Sequence, residues 1–427
     1  MTTLLPSEYQ ECKTQAERVY SHLLADLRQA RTVYVGGTKS QGEAEFLCQL
    51  YPDLVFVDDF YQAAQGSATL HGRPVITTVQ LARQAGAQDF LINNSLTPAG
   101  FAHFQRQAES LDLPHCVVME ALSAHFHTGT LMHFSGLTSV YGPQFHRHTL
   151  DNLDLYARLR QRFAHADALS LRTFDHLVRY RLTGDPTLLH RVAVGHHHNS
   201  GLRHDAYILN AQFITLGENE VFIDAGALNG DSCQGFINAV QGRFERVVMF
   251  EPAPDNARQC RDAVAALEQR YPGSAAKMEV VESGLYDRQG SLSLAQSLFD
   301  QAVTERTGVL PQSAHILDTG MSSSFVAQGN EYQVVEVPVT TLDAYLSGGK
   351  DRCTFIKMEI EGSEVAALDG ARQTILNNRP KMALSIYHRP QDLELIMDYV
   401  ENLGLDYRIA LRAHNPWCPD AIVLYCW

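Results

Sequence analysis

The stretch VFIDAGALNGDS at residues 221–232 decides the fold of this chain. Its apolar start is typical of a buried strand, Gly226 and Gly230 predict a tight turn, and the residues that follow predict a helix. A second buried strand, VVMF at residues 247–250, comes next and is closed by Glu251. This order of elements is the one that holds an adenosine ribose. The glycines let the backbone approach the ligand, and the acid accepts hydrogen bonds from the ribose hydroxyls.

The turn carries carboxylates where a dinucleotide site would need none. Dinucleotide folds space three glycines as G-x-G-x-x-G, so that a pyrophosphate can lie on the helix N-terminus. Here the pattern is D-x-G-x-x-x-G, with Asp224 before Gly226 and Asp231 directly after Gly230. Carboxylates at these places repel a pyrophosphate and favour a cationic ligand without phosphate. S-adenosylmethionine fits, since it carries an ammonium and a sulfonium. The alternative is an ordinary tight turn of an α/β protein.

Length and composition limit the class of protein. The chain has 427 residues, 45% of them hydrophobic, which is enough for two or three domains with sizeable cores. Its net charge of −14 argues against general binding of nucleic acid. No apolar run approaches the roughly 18 residues of a membrane span, and no secretory signal is recognisable. The eight cysteines form no CxxC pair and no disulfide-like framework, so we expect a cytoplasmic protein.

Strands and helices alternate through residues 1–122, which predicts a small Rossmann-like domain with parallel strands. Its predicted strands are Thr32–Val35, Leu54–Val57, Val75–Thr78, Phe90–Ile92 and Cys116–Met119. A histidine-studded stretch and a long helical pattern then predict a helical connector at 123–205. A second α/β domain is predicted at 206–427. Its predicted strands are Val221–Ala225, Val247–Phe250, Met278–Glu282, Thr354–Ile360, Met382–Ser385, Tyr407–Leu411 and Ile422–Tyr425.

The stretch TFIKMEIEG at residues 354–362 is the second informative feature. Strand alternation places Lys357, Glu359 and Glu361 on one face. Strands inside parallel sheets are normally apolar on both faces, so these charges are expected at the carboxyl end of the strand, where open α/β sheets bind ligands. Gly362 then predicts a tight turn into a helix. The alternative is a surface edge strand with alternating charges.

The C-terminal half resembles the FkbM-type family of S-adenosylmethionine-dependent methyltransferases. The resemblance spans about residues 206–427, in the order of the family. It is carried by FIDAGALNGDS (222–232), FEP (250–252), SSSF (322–325), VPVTTLD (337–343), FIKMEIEGSE (355–364) and SIYHRP (385–390). One departure is Glu359, where family members often carry aspartate. The substitution keeps the carboxylate and lengthens its reach by one methylene.

The resemblance implies a seven-strand methyltransferase sheet whose last strand inserts antiparallel, and O-methylation, often of sugars or specialised metabolites. It implies that Asp224 and Gly226 shape the methionine pocket and that Gly284 and Leu285 approach the adenine. Glu251 would bind the ribose. The expected cofactor-binding residues are Asp224, Gly226, Gly230, Asp231, Glu251, Gly284, Leu285 and Lys357. The resemblance also implies that Glu359, Glu361 and His388 face the methyl-transfer zone. These three are the expected catalytic residues.

A hydroxyl acceptor must lose its proton, and His388 is the first candidate for the base, because an imidazole titrates near neutrality. Glu361 is the second candidate, as a base or to orient the acceptor. Lys357 is expected to pair with Glu359 and hold it ionised. The alternative for His388 is a packing role. No metal is expected, although Glu359, Glu361 and His388 could converge on Mg²⁺; the run at 196–198 of three histidines is interpreted as a polar loop.

The N-terminal domain imitates a nucleotide site without matching one. Gly36 and Gly37 follow a predicted strand and Asp58 ends the next, but the G-x-G-x-x-G spacing is absent. A degenerate Rossmann-like module for acceptor binding or for homodimerisation is therefore preferred. The expected partner is a small-molecule or saccharide acceptor, with neither nucleic acid nor membrane. Two alternatives remain: an oxidoreductase or epimerase whose N-terminal domain binds NAD, and a non-catalytic scaffold that binds S-adenosylmethionine.

Overall fold

The protein is described here by a computed structural model. The described residues are 7–38, 44, 47–48, 50–61, 69–95, 97–118, 120–121, 143–194, 214–297, 314–317, 332–415 and 421–427. The chain divides into two compact units, the first within residues 1–193 and the second from 194 onward, with residues 416–419 assigned to the first. The predicted boundaries at 122 and 205 fall outside the described residues and stay predictions.

The first unit is built on a six-stranded sheet in the order β3-β4-β2-β1-β5-β6. Its strands are β1 (Val33–Gly36), β2 (Val55–Val57), β3 (Thr69–Leu70), β4 (Arg73–Ile76), β5 (Phe90–Asn93) and β6 (His115–Val117). Five strands run parallel, and the short β3 pairs antiparallel with β4 at the edge. The prediction of a Rossmann-like α/β domain is confirmed. The hairpin of β3 was not predicted, because two residues carry no periodic signal.

Helices cover the sheet of the first unit and extend beyond residue 143. They are α1 (Ser7–Gln29), α2 (Thr78–Gln84), α3 (Pro98–Ser110), α4 (Pro143–Asp151), α5 (Leu153–Arg162), α6 (Ala168–Thr183) and α7 (Pro186–His190). Helix α6 begins because the Asp167 carboxylate accepts hydrogen bonds from the first backbone amides, and it ends at Gly184 in the left-handed region. Tyr9 of α1 donates to Asp175 of α6 at 2.7 Å, which ties the N-terminal helix to this group.

The second unit is built on a seven-stranded sheet in the order β16-β17-β15-β14-β7-β8-β9. Its strands are β7 (Val221–Ala225), β8 (Arg246–Phe250), β9 (Met278–Val281), β14 (Phe355–Met358), β15 (Lys381–Ser385), β16 (Ile409–Ala413) and β17 (Ile422–Cys426). Strand β17 lies antiparallel between β15 and β16, whereas β15, β14, β7, β8 and β9 run parallel. The inserted antiparallel last strand that the family resemblance implied is therefore confirmed.

Aromatic side chains fill the core next to the central strands. The ring of Phe222 on β7 stacks on Phe355 of β14, with centroids 5.0 Å apart, and lies 4.7 Å from Phe236. Helices flank this sheet. They are α8 (Asp231–Ala239), α9 (Pro254–Arg270), α10 (Leu342–Tyr345), α11 (Glu364–Asp369), α12 (Arg372–Asn378) and α13 (Asp392–Asn402). None of the helices in the described part of the chain is long and apolar enough to cross a membrane.

A second, four-stranded sheet in this unit was not predicted. Its order is β10-β13-β11-β12, and its strands are β10 (Gly284–Leu285), β11 (Gly290–Ser297), β12 (Ala314–Leu317) and β13 (Tyr332–Thr340). Sequence interpretation followed the apolar strands of the parallel sheet, and β11, with the sequence GSLSLAQS, is too polar to resemble them.

Strand β14 is shorter than predicted. It ends at Met358, and Glu359 to Gly362 form a turn, with Glu361 at φ +56° and Gly362 at φ +93°. The strict alternation expected for Glu359 and Glu361 therefore does not apply, and both residues lie beyond the carboxyl end of the strand. This is the edge at which parallel sheets bind ligands.

Candidate functional site

The glycine turn after β7 is closely packed. Gly226 has φ +77°, and a Cβ atom on it would come within 1.9 Å of the backbone oxygen of Glu359. Gly230, at φ +81°, is the residue that precedes α8. Only glycine combines this backbone conformation with so close an approach at position 226. The turn that sequence analysis singled out thus brings the ends of β7 and β14 together.

Glu251 closes β8 and reaches back to the glycine turn. Its Oε2 accepts a hydrogen bond from the backbone N–H of Leu228 at 2.9 Å, and its Oε1 accepts one from Ala253 at 3.0 Å. The residue is 6% exposed, and this burial raises the pKa of its carboxyl to about 7, against the opposing effect of the backbone donors. Glu251 is therefore directed towards the glycine turn and away from solvent.

A buried lysine links the glycine turn to β14. Lys357 Nζ donates to the backbone oxygen of Gly226 at 2.7 Å, and lies 3.2 Å from Asp224 Oδ1 and 3.5 Å from Glu359 Oε2. Burial raises the pKa of Asp224 to about 6, although Lys357 opposes the shift. Burial alone would lower the pKa of Lys357, but Asp224 and Glu359 outweigh it and hold that pKa above its usual value. The expected pairing of Lys357 with Glu359 is present, with Asp224 as a closer partner.

Asp231 adds a third carboxylate at the start of α8. Its Oδ1 accepts from the backbone N–H of Ser232 at 2.5 Å, and its charge raises the pKa of both Asp224 and Lys357. Three carboxylates thus face one ammonium around the glycine turn. This group of Asp224, Asp231, Glu359 and Lys357 is named the acidic cluster, and it carries a net negative charge when all four are ionised.

Gly284 and Leu285 follow β9, next to Glu251. The backbone N–H of Glu251 donates to Val281 at the end of β9, at 3.1 Å. Leu285 is buried and pairs with Thr340 in the four-stranded sheet, so its side chain belongs to the core.

His388 lies between two carboxylates. Its Nδ1 is 2.9 Å from Glu364 Oε1, and its Nε2 is 3.6 Å from Glu361 Oε2. Burial alone would lower the pKa of the imidazole, but Glu364 and Glu361 raise it to about 10. Burial raises the pKa of Glu361 to about 7. The premise that this imidazole titrates near neutrality is therefore not met. In these surroundings the ring is protonated at pH 7, and a protonated ring cannot accept a proton.

Residues 224–408 match the model of the methyltransferase FkbM domain. The second unit therefore contains a methyltransferase FkbM domain. The FkbM methyltransferase of Methylobacillus flagellatus KT, seen in a crystal structure, is 22% identical, covering 98% of this chain and 100% of its own, with a TM-score of 0.69. This likeness shows the fold, along nearly all of the chain.

Two further solved structures share only a distant likeness with this chain. An rRNA methylase from Streptococcus thermophilus is 13% identical, covering 52% of this chain and 91% of its own, with a TM-score of 0.29. Precorrin-6y C5,15-methyltransferase from Geobacter metallireducens GS-15 is 13% identical over 52% and 87%, with a TM-score of 0.28. Scores this low carry no argument. No curated protein sequence matches the chain at a significant level.

Three residues of the FkbM site were not singled out from the sequence. Tyr387 donates from its hydroxyl to Glu359 Oε1 at 2.5 Å. Glu364 is wholly buried against His388, and Asp392 begins α13 beside it. Tyr387 and Glu364 stood inside the stretches that carried the family resemblance, and a search for partners of His388 could have found them. Asp392 had no signal, because the helix start that places it near His388 is a tertiary feature.

The glycines and the acid of the first unit have structural explanations. Asp58 Oδ2 accepts from the backbone N–H and the hydroxyl of Thr38, at 3.2 and 2.6 Å. Its Oδ1 accepts from the backbone N–H groups of Phe60 and Tyr61. A Cβ atom on Gly36 would come within 2.5 Å of the Phe104 ring. These contacts account for the residues that imitated a nucleotide site. The histidine run at 196–198 lies outside the described residues.

Proposed function

We propose that this protein transfers a methyl group from S-adenosylmethionine to a hydroxyl of a sugar or specialised metabolite. The observation that carries the proposal is the position of Glu251, a buried carboxylate that holds the glycine turn through Leu228. An ionised carboxylate has about four lone-pair sites, and the backbone donors leave some of them for the two hydroxyls of a ribose. Methyl transfer follows from the family, whereas cofactor and acceptor are our inference.

The acidic cluster supports a cationic cofactor. Asp224, Asp231 and Glu359 outnumber Lys357, so the crevice favours the ammonium and sulfonium of S-adenosylmethionine. The same charges would repel the pyrophosphate of NAD. In the first unit, Asp58 already accepts four hydrogen bonds from its own loop, which leaves little support for a dinucleotide there. The observations therefore favour the methyltransferase over the NAD-dependent alternative.

The adenine is proposed to lie along the backbone of Gly284 and Leu285, which continues from β9 beside Glu251. Gly226 and Gly230 let the main chain approach the methionine end, where no side chain would fit at 226. Bound S-adenosylmethionine supplies an electrophilic methyl carbon. The residues of this chain are left to orient the acceptor and to accept its proton.

Glu361 is the base we propose for the acceptor hydroxyl. Its side chain is 26% exposed, whereas that of His388 is 7% exposed, and both ring nitrogens of His388 lie within 3.6 Å of a carboxylate oxygen. Glu359 is held by Tyr387 and Lys357, which suits it to orient the acceptor rather than to take a proton. Positioning of the acceptor about 3 Å from the methyl carbon supplies much of the acceleration, and the base a further 10²–10⁴-fold.

The first unit is proposed to help bind the acceptor or to mediate homodimerisation, because its sheet carries no dinucleotide fingerprint. A cytoplasmic location is also proposed. None of the cysteines in the described residues forms a disulfide, which is the pattern of a reducing compartment.

A transfer assay with methyl-labelled S-adenosylmethionine and a panel of sugars and polyhydroxylated metabolites tests the proposal. We expect label in an ether methyl group of at least one acceptor. Glu361→Gln should lower kcat about 100-fold or more and leave the binding of S-adenosylhomocysteine unchanged. The control is Asp369→Asn, at an exposed position of α11.

Binding of cofactor without transfer to any acceptor of the panel would favour the scaffold alternative instead. Label on nitrogen or carbon would overturn the O-methylation part of the proposal while leaving methyl transfer in place.

A further inference from the structure

A buried group of three potential metal ligands lies behind the turn that follows β14. Glu364, His388 and Asp392 each offer one ligand atom, and these atoms lie within 4.8 Å of one another. Glu364 is 0% and Asp392 1% exposed, and the His388 side chain is 7% exposed. These three residues are named the buried triad. Burial separates them from ordinary surface acids, which often cluster without binding anything.

The contacts inside the buried triad do not have the geometry of hydrogen bonds. His388 Nδ1 is only 2.9 Å from Glu364 Oε1. Even so, within the described part of the chain neither ring nitrogen of His388 has a hydrogen-bond partner of acceptable geometry, and neither has Glu364 Oε2. Buried polar atoms are rarely left in this state. An ion bound between these residues would give such atoms a partner.

The distance fits an ion between them. Two ligands about 2.1 Å from a cation and at right angles to each other lie about 3 Å apart. The observed 2.9 Å between Nδ1 and Oε1 matches this value. A direct ion pair would instead place the N–H of the ring in line with the carboxylate oxygen. The distance between His388 and Glu364 is therefore one that two neighbouring ligands of an ion would have.

Each member of the buried triad is fixed by a further contact, as ligands of a metal usually are. Glu364 Oε1 accepts from the backbone N–H of Ile360 at 2.9 Å, and Asp392 Oδ2 accepts from that of Arg389 at 2.6 Å. The opposite nitrogen of His388 faces Glu361 Oε2 at 3.6 Å. A carboxylate behind a ligating imidazole fixes the orientation of the ring. Without the ion the ring carries a proton on Nδ1, and a metal ion that binds there displaces that proton.

The carboxylates around His388 also favour the binding of a cation. Glu361, Glu364 and Asp392 surround one imidazole, and the nearby guanidinium of Arg389 is exposed. Buried negative charge without a compensating partner is costly. A divalent ion would offset two of the three carboxylates.

We propose that Glu364, His388 and Asp392 bind one divalent cation. One imidazole and two carboxylates suit ions of intermediate hardness, such as Mn²⁺, Fe²⁺ or Zn²⁺, with water at the remaining positions. This set differs from the combination of Glu359, Glu361 and His388 considered from the sequence, because Glu359 is engaged by Tyr387 and Lys357. The site goes beyond the proposed methyl transfer and does not depend on it.

Titration of the full chain with Mn²⁺ tests the proposal. The concentration of free ion is measured by electron paramagnetic resonance. We expect one tightly bound ion per chain. Asp392→Asn should weaken this binding by about 100-fold or more, since loss of an outer-shell partner alone typically costs 10–100-fold. Asp369→Asn changes an exposed acid on the helix of Glu364 and should leave binding unchanged.

Pulsed electron paramagnetic resonance on the wild-type protein tests the proposal even if the Asp392→Asn variant fails to fold. The bound Mn²⁺ should show coupling to one histidine nitrogen, and His388→Ala should remove that coupling. An absence of tight binding, binding that Asp392→Asn does not affect, or bound ion without nitrogen coupling would overturn the proposal. None of these readings involves methyl transfer, so a negative result leaves the proposed function standing, and a chain without activity could still bind the ion.

Discussion

Gly226 lies against the backbone of Glu359, so closely that a single added carbon atom would come within 1.9 Å of the Glu359 oxygen. The contact is reinforced by Lys357, which donates to the Gly226 carbonyl at 2.7 Å. The glycine turn and the acidic turn, which sequence analysis found as two separate signals, are therefore one structural feature. The site forms only when β7 and β14 are in register.

Replacement of Gly226 by alanine should disrupt this feature. The substitution combines a positive φ with a clash against backbone, and we expect a loss of about 3–5 kcal/mol in the free energy of unfolding. Gly273→Ala is the matched control, because Gly273 also has a positive φ, +87°, but no atom lies within 4 Å of an added Cβ. It should cost about 1–2 kcal/mol. Equal losses for both variants, measured by urea unfolding, would contradict the close packing described here.

Removal of the Lys357 charge should destabilise the folded protein more than removal of the whole ion pair. Lys357→Met leaves Asp224 and Glu359 without their cation, which typically costs about 3–5 kcal/mol at a buried site. The double variant Lys357→Met with Asp224→Asn should recover a substantial part of this loss. Urea unfolding of the two single variants and the double variant measures the coupling. If the double variant were as unstable as the sum of the single variants, the pair would not be coupled.

Cofactor binding should depend on pH through Glu251 and Asp224. Burial raises the pKa of these carboxyls to about 7 and about 6, so both titrate close to neutral pH. Since the ribose hydroxyls and the ammonium prefer ionised carboxylates, affinity for S-adenosylhomocysteine should rise between about pH 6 and pH 8. Binding near pH 7 should release protons, which calorimetry in buffers of different ionisation enthalpy detects. A binding enthalpy independent of buffer would contradict this expectation.

Glu120 provides a separate test in the first unit. Burial raises the pKa of its carboxyl to about 7, although the backbone N–H of Val117 opposes the shift. A raised pKa contributes stability that is complete below the unfolded value and is lost as the pH rises through about 7. Glu120→Gln should therefore gain stability relative to the wild type as the pH rises from about 5 to about 8, on the order of 2 kcal/mol. Glu109→Gln, at an exposed position of α3, should show no such trend in urea unfolding.

The sequence predicted the parts of the fold that have strong local signals. The central strands β7 and β8 are apolar on both faces, and each ends at a residue of the site, so both strands and their order could be found. The four-stranded sheet could not, because β11 alternates serine with leucine and pairs with residues of β13 that lie 35 to 49 positions further along the chain. The end of β14 was misjudged since alternation continues in the sequence after the strand has stopped.

The sequence indicated which residues lie together at the candidate site, but not their charges. Asp224, Glu251 and Lys357 were found from their places in two motifs. The protonation of His388 depends mainly on Glu364 and Glu361, and the approach of their carboxylates to the ring is a tertiary contact that sequence spacing does not predict. In the same way, the hydrogen bonds that Asp58 accepts from neighbouring loop residues could not be predicted from the sequence. Sequence patterns locate such residues, whereas tertiary contacts set their chemistry.

The central claim is that the crevice around Gly226 and Glu251 binds a positively charged nucleoside without phosphate. Calorimetric titration with S-adenosylhomocysteine, alongside NADH, tests it most directly. We predict saturable binding of S-adenosylhomocysteine at one site per chain and no binding of NADH. Glu251→Gln should weaken the binding about 10- to 100-fold. Glu282→Gln, a partly exposed acid paired with Arg261 after β9, should leave it unchanged. An absence of heat with S-adenosylhomocysteine, or its displacement by NADH, would contradict the account.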